Sequence, residues 1–247
     1  MKSKLKSEPS LRDSIISVII IILLNFAFRS VAYEPFRIPS GSMKPNLLIG
    51  DYIWVAKYSY GYSKYSFLLS PFDFEGRIFF RKPLRGDIIV FKPKDVKSDE
   101  KIYVKRLIGL PGDQIQIKNR ILYINDIPIE RSYIGEFVDD NGEVLHEYQE
   151  TYPSGLNYKV LASHQEDQMD NTGLYKVPEG HYFFLGDNRN NSGDSRILSR
   201  IGYIPEENLL GQVKMVFFST KASWWEFWKW FTNLDNSRFF LMVNKNA

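Results

Sequence analysis

Two serines flank a glycine in the stretch RIPSGSMKPNLLIGD, residues 37–51, directly after a proline and before a run of apolar residues. A serine hydroxyl becomes a good nucleophile only when a neighbouring group removes its proton. Histidine is the commonest such base, but His146, His164 and His181 are all distant in the sequence. The stretch is therefore either a tight turn or a segment of a site whose base is another residue type.

Lysine is the next candidate for the base. It must first lose its own proton, which at an ordinary pKa of about 10.4 costs about 4.6 kcal/mol at pH 7, so burial has to offset much of that cost. Lys105 lies in a strand-like apolar run, IYVKRLIGLPGD. A buried strand lysine is unusual, although one at a sheet edge can extend its amine to solvent. Lys44 lies closer to the serines but is predicted to be solvated in a polar turn before Pro45.

A third stretch, GDNRNNSGDSR at residues 186–196, contains two Asp-Arg pairs and two serines. Short polar residues of this kind are typical of solvated loops with side-chain-to-backbone turns. The stretch follows the apolar run HYFFL directly, however, and a loop at the end of a buried strand can also place polar groups against a site.

The composition excludes several classes of chemistry. The chain has 247 residues, 44% of them hydrophobic, which is enough for a sizeable core. It contains no cysteine, so thiol catalysis, disulfides and cysteine-bound zinc are excluded, and three scattered histidines predict no metal site and no cofactor.

The charge is unevenly distributed. Residues 131–172 hold nine acidic and two basic side chains, a net charge of −7, which leaves +10 for the rest of a chain whose total is +3. No basic run alternates with aromatic residues, so we expect no nucleic-acid binding. The positive remainder indicates proximity to an anionic membrane surface.

An apolar segment near the N-terminus predicts a transmembrane helix. SIISVIIIILLNFAF contains no charge, and extension to Tyr33 gives residues 14–33, or ~30 Å of helix, enough to cross a bilayer. Basic residues precede it, which places the N-terminus in the cytoplasm and the rest of the chain outside. The alternative is a cleaved secretory signal that ends at SVA, residues 30–32.

The remaining chain predicts a mostly β protein: an antiparallel sheet core with an inserted subdomain. Alternating or β-branched runs begin at Asp87, Gln114, His181 and Gln212, with turn signals at Pro111-Gly112 and Asn141-Gly142. The predicted divisions are a cytoplasmic tail (1–13), the membrane helix (14–33), a first core segment (34–113), an inserted β and loop subdomain (114–178), a second core segment (179–221) and a tryptophan-rich tail (222–247).

The tail sequence SWWEFWKWF holds four of the five tryptophans. On a helix, Trp224, Phe227, Trp228 and Phe231 share one face. That face either packs against the core or lies at the membrane interface, where tryptophan is favoured.

Three blocks make the chain resemble the bacterial type I signal peptidases. PSGSMKPNL, YVKRLIGLPGD and GDNRNNSGDSR occur in this order behind an apolar span, and the resemblance extends from Ser14 to about Phe218. Each block alone is weak, but the ordered set is specific. The chain departs from the family pattern at Asn46, often threonine, and at Asn190, often aspartate, so no ionic contact is expected from position 190.

The resemblance implies a role for each polar residue of the blocks. Ser42 would be the nucleophile and Lys105 its general base, while Ser40 would add a hydroxyl to an oxyanion hole beside the Ser42 backbone N–H. Ser192 would hold the Lys105 amine. Asp194 and Arg196 would form a structural pair, and the substrate pockets would be lined by Phe36, Ile38, Pro39, Met43, Leu47, Tyr103 and Val104.

The function implied is that of a membrane-bound serine endopeptidase. It would remove signal peptides from exported preproteins at the outer face of the cytoplasmic membrane, cutting after small-x-small motifs through an acyl-enzyme, with membrane lipid as its other partner. The oligomeric state is not indicated. Two alternatives are a LexA-type Ser/Lys self-cleaving protein, which should carry a DNA-binding domain in front, and a secreted binding domain with a cleaved signal.

Overall fold

The structure, a computed structural model, describes residues 10–67, 73–93, 102–222, 226, 228–229 and 233–243. Its long helix, α1, is Leu11–Val31. The predicted helix covered residues 14–33, so α1 begins and ends earlier than predicted. Ser10 and Asp13 cap its N-terminus reciprocally, and Tyr33 already belongs to the first strand. Most of the predicted cytoplasmic tail, residues 1–9, lies outside the described residues.

Helix α1 buries no side chain against the rest of the chain. It is long and apolar enough to cross a membrane, and it is the one such helix among the described residues. Its 21 residues correspond to roughly 31 Å, the thickness of a bilayer's hydrocarbon core.

Strands account for most of the remaining regular structure, which confirms the mostly β prediction. In chain order the strands of the described residues are β1 (Tyr33–Arg37), β2 (Asp51–Ala56), β3 (Ile88–Phe91), β4 (Tyr103–Gly109), β5 (Gln114–Lys118), β6 (Ile121–Ile124), β7 (Ile127–Pro128), β8 (Glu130–Val138), β9 (Val144–Thr151), β10 (Asn157–Ala162), β11 (Tyr175–Lys176), β12 (His181–Leu185), β13 (Ile204–Pro205), β14 (Leu209–Ser219) and β15 (Leu241–Met242).

The main sheet is antiparallel in the order β1-β2-β14-β3-β4-β12-β13, with β15 paired to β14. Apolar residues of β2, β3 and β14 pack on one side of it with Met43 and Leu47. The predicted strands that begin near Asp87 and at His181 are confirmed as β3 and β12, and the run from Gln212 lies within β14.

The chain leaves the main sheet after β4 and returns at β12, and these two strands are neighbours. The segment between them forms two further sheets, β11-β5-β6-β7 and β10-β9-β8. Asn119 and Arg120 adopt positive φ between β5 and β6, as a two-residue hairpin turn requires. This topology supports our proposal that residues 114–178 are an inserted subdomain.

The tryptophan-rich tail is only partly described. Trp224, Phe227 and Phe231 of the predicted helical face lie outside the described residues. Trp228 is 61% exposed. The described end of the tail returns to the main sheet as β15.

Candidate active site

Ser42 lies in a single 3₁₀ turn, Gly41–Met43, between β1 and β2, and its side chain is buried. The loop that follows β12 holds this turn. The Asn188 backbone N–H donates to the Ser42 carbonyl at 3.1 Å, and the Asn188 side-chain amide donates to the Gly41 carbonyl at 3.3 Å. Gly186 has to be glycine, because a Cβ there would lie 2.6 Å from the Ser42 carbonyl oxygen.

Lys105 lies on β4, where it pairs with Ile89 of β3, and only 4% of it is exposed. Its Nζ donates a hydrogen bond to Ser42 Oγ. Residues 63 positions apart in sequence therefore meet, and the lysine amine lies where a base for the serine hydroxyl is needed.

The charge of Lys105 has no acidic partner among the described residues, none of which forms an ion pair with it. Asp187 and Asp194 act on it from a distance, but Arg106 holds Asp187 with two 2.7 Å bonds and Arg196 holds Asp194 with two 2.8 Å bonds. Burial lowers the pKa of Lys105 from 10.5 to about 8, and the two carboxylates only partly oppose that shift.

Two further serines were predicted here. Ser40 Oγ lies 3.3 Å from Ser42 Oγ, within hydrogen-bonding distance. Ser192 Oγ is buried and has no hydrogen-bond partner among the described residues, so the predicted bond to Lys105 is not formed. Ser192 instead packs against Gly186, whose missing side chain leaves room for it.

A cavity of about 360 Å³ opens beside Ser42 and Lys105. The residues that line it are Ile38, Pro39, Ser40, Ser42, Met43, Ile102, Tyr103, Val104, Lys105, Asn191, Gly193 and Arg200. Five of the seven predicted pocket residues are among them. Leu47 is fully buried in the apolar cluster beneath the main sheet, and Phe36 packs against that cluster, so neither of them lines the cavity.

Four residues line the cavity without having been predicted from the sequence: Ile102, Asn191, Gly193 and Arg200. Asn191 and Gly193 belong to the polar stretch that follows β12, so their position near a site was predictable while their individual contribution was not. The Arg200 guanidinium lies beside Gly193, with Nη1 3.2 Å from where a Cβ would be. Nothing local in the sequence distinguishes this arginine from a solvated one.

The predicted environment of Lys44 is wrong. Lys44 is only 3% exposed, and its Nζ donates to Asp140 at 2.9 Å and lies 3.9 Å from Asp139. These aspartates occupy the turn between β8 and β9, which folds back against the turn that carries Ser42. The amine next to the serine in sequence is therefore held by carboxylates.

The two departures from the family pattern have specific partners. Asn46 donates to Asp187 at 2.7 Å and to the Lys159 carbonyl at 2.8 Å. Asn190 accepts from the Ser163 N–H at 2.9 Å, and its amide group lies 3.3 Å from carboxylate oxygens of Asp167 and Asp170. A neutral amide suits position 190, because an aspartate would face two like charges there.

The chain is similar to known signal peptidases. The family model described as signal peptidase, peptidase S26 matches residues 11–218. Signal peptidase I of Rickettsia typhi is 43% identical over 231 residues, covering 90% of this chain and 85% of the relative, and that of Rickettsia massiliae is 45% identical over 220 residues, covering 85% and 80%. A crystal structure of a signal peptidase I from Enterococcus faecalis is 27% identical, with a TM-score of 0.32, and covers 53% of this chain and 97% of that one. The chain belongs to the signal peptidase family, peptidase S26, and is a hydrolase of the serine peptidase type.

Proposed function

We propose that the chain is a membrane-anchored endopeptidase that removes signal peptides from exported preproteins, with Ser42 as nucleophile and Lys105 as general base. One observation carries this proposal: the buried Lys105 amine contacts Ser42 Oγ and forms no ion pair with any described acidic side chain. The substrate class follows from the name of the relatives, signal peptidase I.

In the first half of the reaction, Ser42 Oγ attacks the carbonyl carbon of the scissile bond and its proton passes to the neutral Lys105 amine. The negative charge that develops on the carbonyl oxygen is stabilised by the Ser42 backbone N–H and the Ser40 hydroxyl. The intermediate then collapses, the C–N bond breaks, and Lys105 returns the proton to the leaving amine. The signal peptide remains attached to Ser42 as an ester.

In the second half, a water molecule attacks the ester carbonyl and gives its proton to Lys105. Ser42 recovers that proton when the ester bond breaks, and the signal peptide leaves with a new carboxyl group. Ser192 is proposed to position this water, because its buried hydroxyl has no hydrogen-bond partner among the described residues. Asp194 and Arg196 support the loop as an ion pair.

The cavity supports a preference for small residues at the third and first positions before the cut. Its apolar wall is formed by Ile38, Pro39, Met43, Tyr103 and Val104, and a volume of about 360 Å³ leaves space for short side chains. Phe36 and Leu47 support this wall indirectly, because they pack in or against the cluster that also contains Ile38 and Met43.

We also propose that α1 is retained as a membrane anchor, with the N-terminus in the cytoplasm and the active site on the outer side. The SVA sequence, residues 30–32, forms the end of the helix and not an extended strand. Its last two carbonyls are already bonded, Val31 to the Tyr62 hydroxyl at 2.7 Å and Ala32 to the Lys57 N–H at 2.9 Å. Intact-mass analysis of membrane-purified protein should find the span present, and a chain that starts at Tyr33 would contradict the anchor.

The central test is cleavage, in detergent, of a model preprotein with alanine at both specificity positions. Ser42→Ala should lower the rate at least about 10⁴-fold without unfolding the protein, because the nucleophile is lost. Ser66→Ala, at a buried serine outside the cavity, is the matched control and should cleave near the wild-type rate. Wild-type cleavage by Ser42→Ala would overturn the assignment. Replacing the alanine directly before the cut by phenylalanine should strongly slow the wild-type enzyme.

A further inference from the structure

The inserted subdomain carries a group of metal-binding side chains that peptide cleavage does not use. Glu136, His146 and His164 each offer one ligand atom, and these atoms all lie within 4.8 Å of one another. Among the described residues, this group joins two of the chain's three histidines, and the imidazole centroids of the pair are 3.7 Å apart. We propose that these three side chains bind a zinc ion.

The strand register explains why the three residues meet. Glu136 on β8 and His146 on β9 are direct cross-strand partners, and His146 is opposite Ala162 on the other side, at the end of β10. His164 lies two residues beyond Ala162, in the bend that follows β10, where its imidazole packs against that of His146. β8 and β9 therefore each supply one ligand, and the bend that follows β10 supplies the third.

Two tyrosines surround the His146 imidazole in a way that suits a zinc ligand. The Tyr148 hydroxyl lies 3.3 Å from His146 Nδ1, and Tyr133 packs edge-on against the same imidazole. A histidine that binds zinc through one ring nitrogen commonly has a hydrogen-bond partner on the other, which holds the ring in place. Tyr148 can serve as this partner.

The chemistry of the donors favours zinc over harder cations. Two imidazoles and one carboxylate suit zinc and its transition-metal neighbours, whereas calcium and magnesium require a shell of oxygen ligands. Ligand atoms around tetrahedral zinc are roughly 3.3 Å apart, so small side-chain rotations bring the three within bonding distance and leave a fourth position for water. The net charge of −7 over residues 131–172 attracts a cation to this region of the molecule.

Zinc at this site would add a link between β8, β9 and the bend after β10, beyond the backbone hydrogen bonds that pair β8 with β9 and β9 with β10. Glu136 lies only a few residues before Asp139 and Asp140, which contact Lys44. The ion therefore stabilises the region of the subdomain that reaches the turn carrying Ser42. Its role is structural, and it is not involved in the proposed Ser42 and Lys105 chemistry.

The test is titration of metal-stripped, full-length protein in detergent with zinc chloride, followed by calorimetry. The wild type should bind one zinc per chain with micromolar affinity or tighter, and Glu136→Gln, His146→Ala and His164→Ala should each weaken binding at least about tenfold. His181→Ala is the matched control, because His181 is the remaining histidine and lies on β12 with its ring against the Glu179 carbonyl. It should bind zinc as the wild type does.

Two outcomes would overturn the proposal: no saturable zinc binding below about 1 mM, or equal weakening in His181→Ala and the ligand variants. If His146→Ala fails to fold, the exposed Glu136 and His164 decide the matter through their own variants. Zinc should also raise the unfolding temperature of the wild type and leave that of His164→Ala unchanged. Binding and unfolding are independent of cleavage, so a failure here leaves the proposed peptidase function intact.

Discussion

Two lysines approach the turn that carries Ser42, and they differ in their partners more than in their burial. Lys44 is 3% exposed and Lys105 is 4% exposed. The Lys44 amine donates to Asp140 at 2.9 Å, within a turn of the inserted subdomain. The Lys105 amine donates to Ser42. The two carboxylates that act on its charge, Asp187 and Asp194, are each bound by an arginine.

The comparison shows that burial alone does not make a lysine a base. Burial disfavours the ammonium form, but a carboxylate in contact stabilises the charge again. Of these two lysines, only Lys105 is buried without a carboxylate in contact, and its pKa falls to about 8. Arg106 and Arg196 contribute indirectly, because they occupy the carboxylates that could otherwise pair with the amine.

The same substitution at both lysines gives the largest expected contrast. Lys105→Met should lower the rate of preprotein cleavage at least about 10⁴-fold, because no other described side chain can take the Ser42 proton. Lys44→Met should remain within about tenfold of the wild type, since it removes an anchor of the turn but no reacting group. A cleavage assay in detergent measures both. Inactive Lys44→Met together with active Lys105→Met would reverse our assignment.

Substitutions of Ser40 and Ser192 test how the other two serines near Ser42 and Lys105 contribute to catalysis. Ser40→Ala should lower kcat about 10²–10³-fold, as expected for the loss of one oxyanion donor, with a smaller change in KM. Ser192→Ala should have a smaller effect on kcat, because its hydroxyl has no hydrogen-bond partner among the described residues. Steady-state kinetics of the two variants decide the order. A silent Ser40→Ala would remove Ser40 from the oxyanion hole.

Stability should change in opposite directions at the two lysines. Lys44→Met leaves Asp139 and Asp140 without this cation and should lower the free energy of unfolding by about 1–3 kcal/mol. Lys105→Met removes a charge whose burial costs about 3 kcal/mol at pH 7 and a hydrogen bond of about 1 kcal/mol, so it should raise the free energy of unfolding by ~2 kcal/mol. Denaturant unfolding at pH 7 measures both signs.

The stabilisation by Lys105→Met should also depend on pH. The pKa of Lys105 is about 8 when folded and 10.5 in its ordinary state, so the unfolded wild type binds more protons between these values. Wild-type stability therefore rises relative to the variant across this window. The gain in stability from Lys105→Met should be largest below pH 8 and should be lost as the pH rises toward 10.5. A difference that is constant with pH would exclude a buried, titrating Lys105.

The pH dependence of cleavage is the last test of the comparison, because the wild type and Lys44→Met should not differ in it. Only neutral Lys105 accepts a proton, so kcat/KM should fall about tenfold per pH unit below its pKa and level off above about 8. Lys44→Met should show the same profile. A midpoint near 6.5 would instead indicate a histidine base. Chelators should leave the cleavage rate unchanged, since the proposed zinc is structural.

Much of the fold could be predicted because its signals are local. The uninterrupted apolar run near the N-terminus predicts a helix, and α1 differs from the prediction only where a capping pair and the first strand intervene. The alternating run from Gln114 predicted β5, since side chains two apart share a face of a strand, and the apolar run from His181 predicted β12. The arrangement of these strands into separate sheets has no such local signal.

The sequence by itself determined which residue types are available for catalysis. Without cysteine and with few histidines, an activated serine needs another base such as lysine, and the resemblance of the three blocks to a known family implied the pair of Ser42 and Lys105. The tertiary structure alone decided which buried lysine has no carboxylate in contact with its amine. Lys44 pairs with Asp140, which is 96 residues away in the sequence. Leu47 is buried in the core, and Arg200 lines the cavity. Such environments depend on which distant segments pack together, and the pKa of a buried amine depends on those neighbours more than on the residues beside it in sequence.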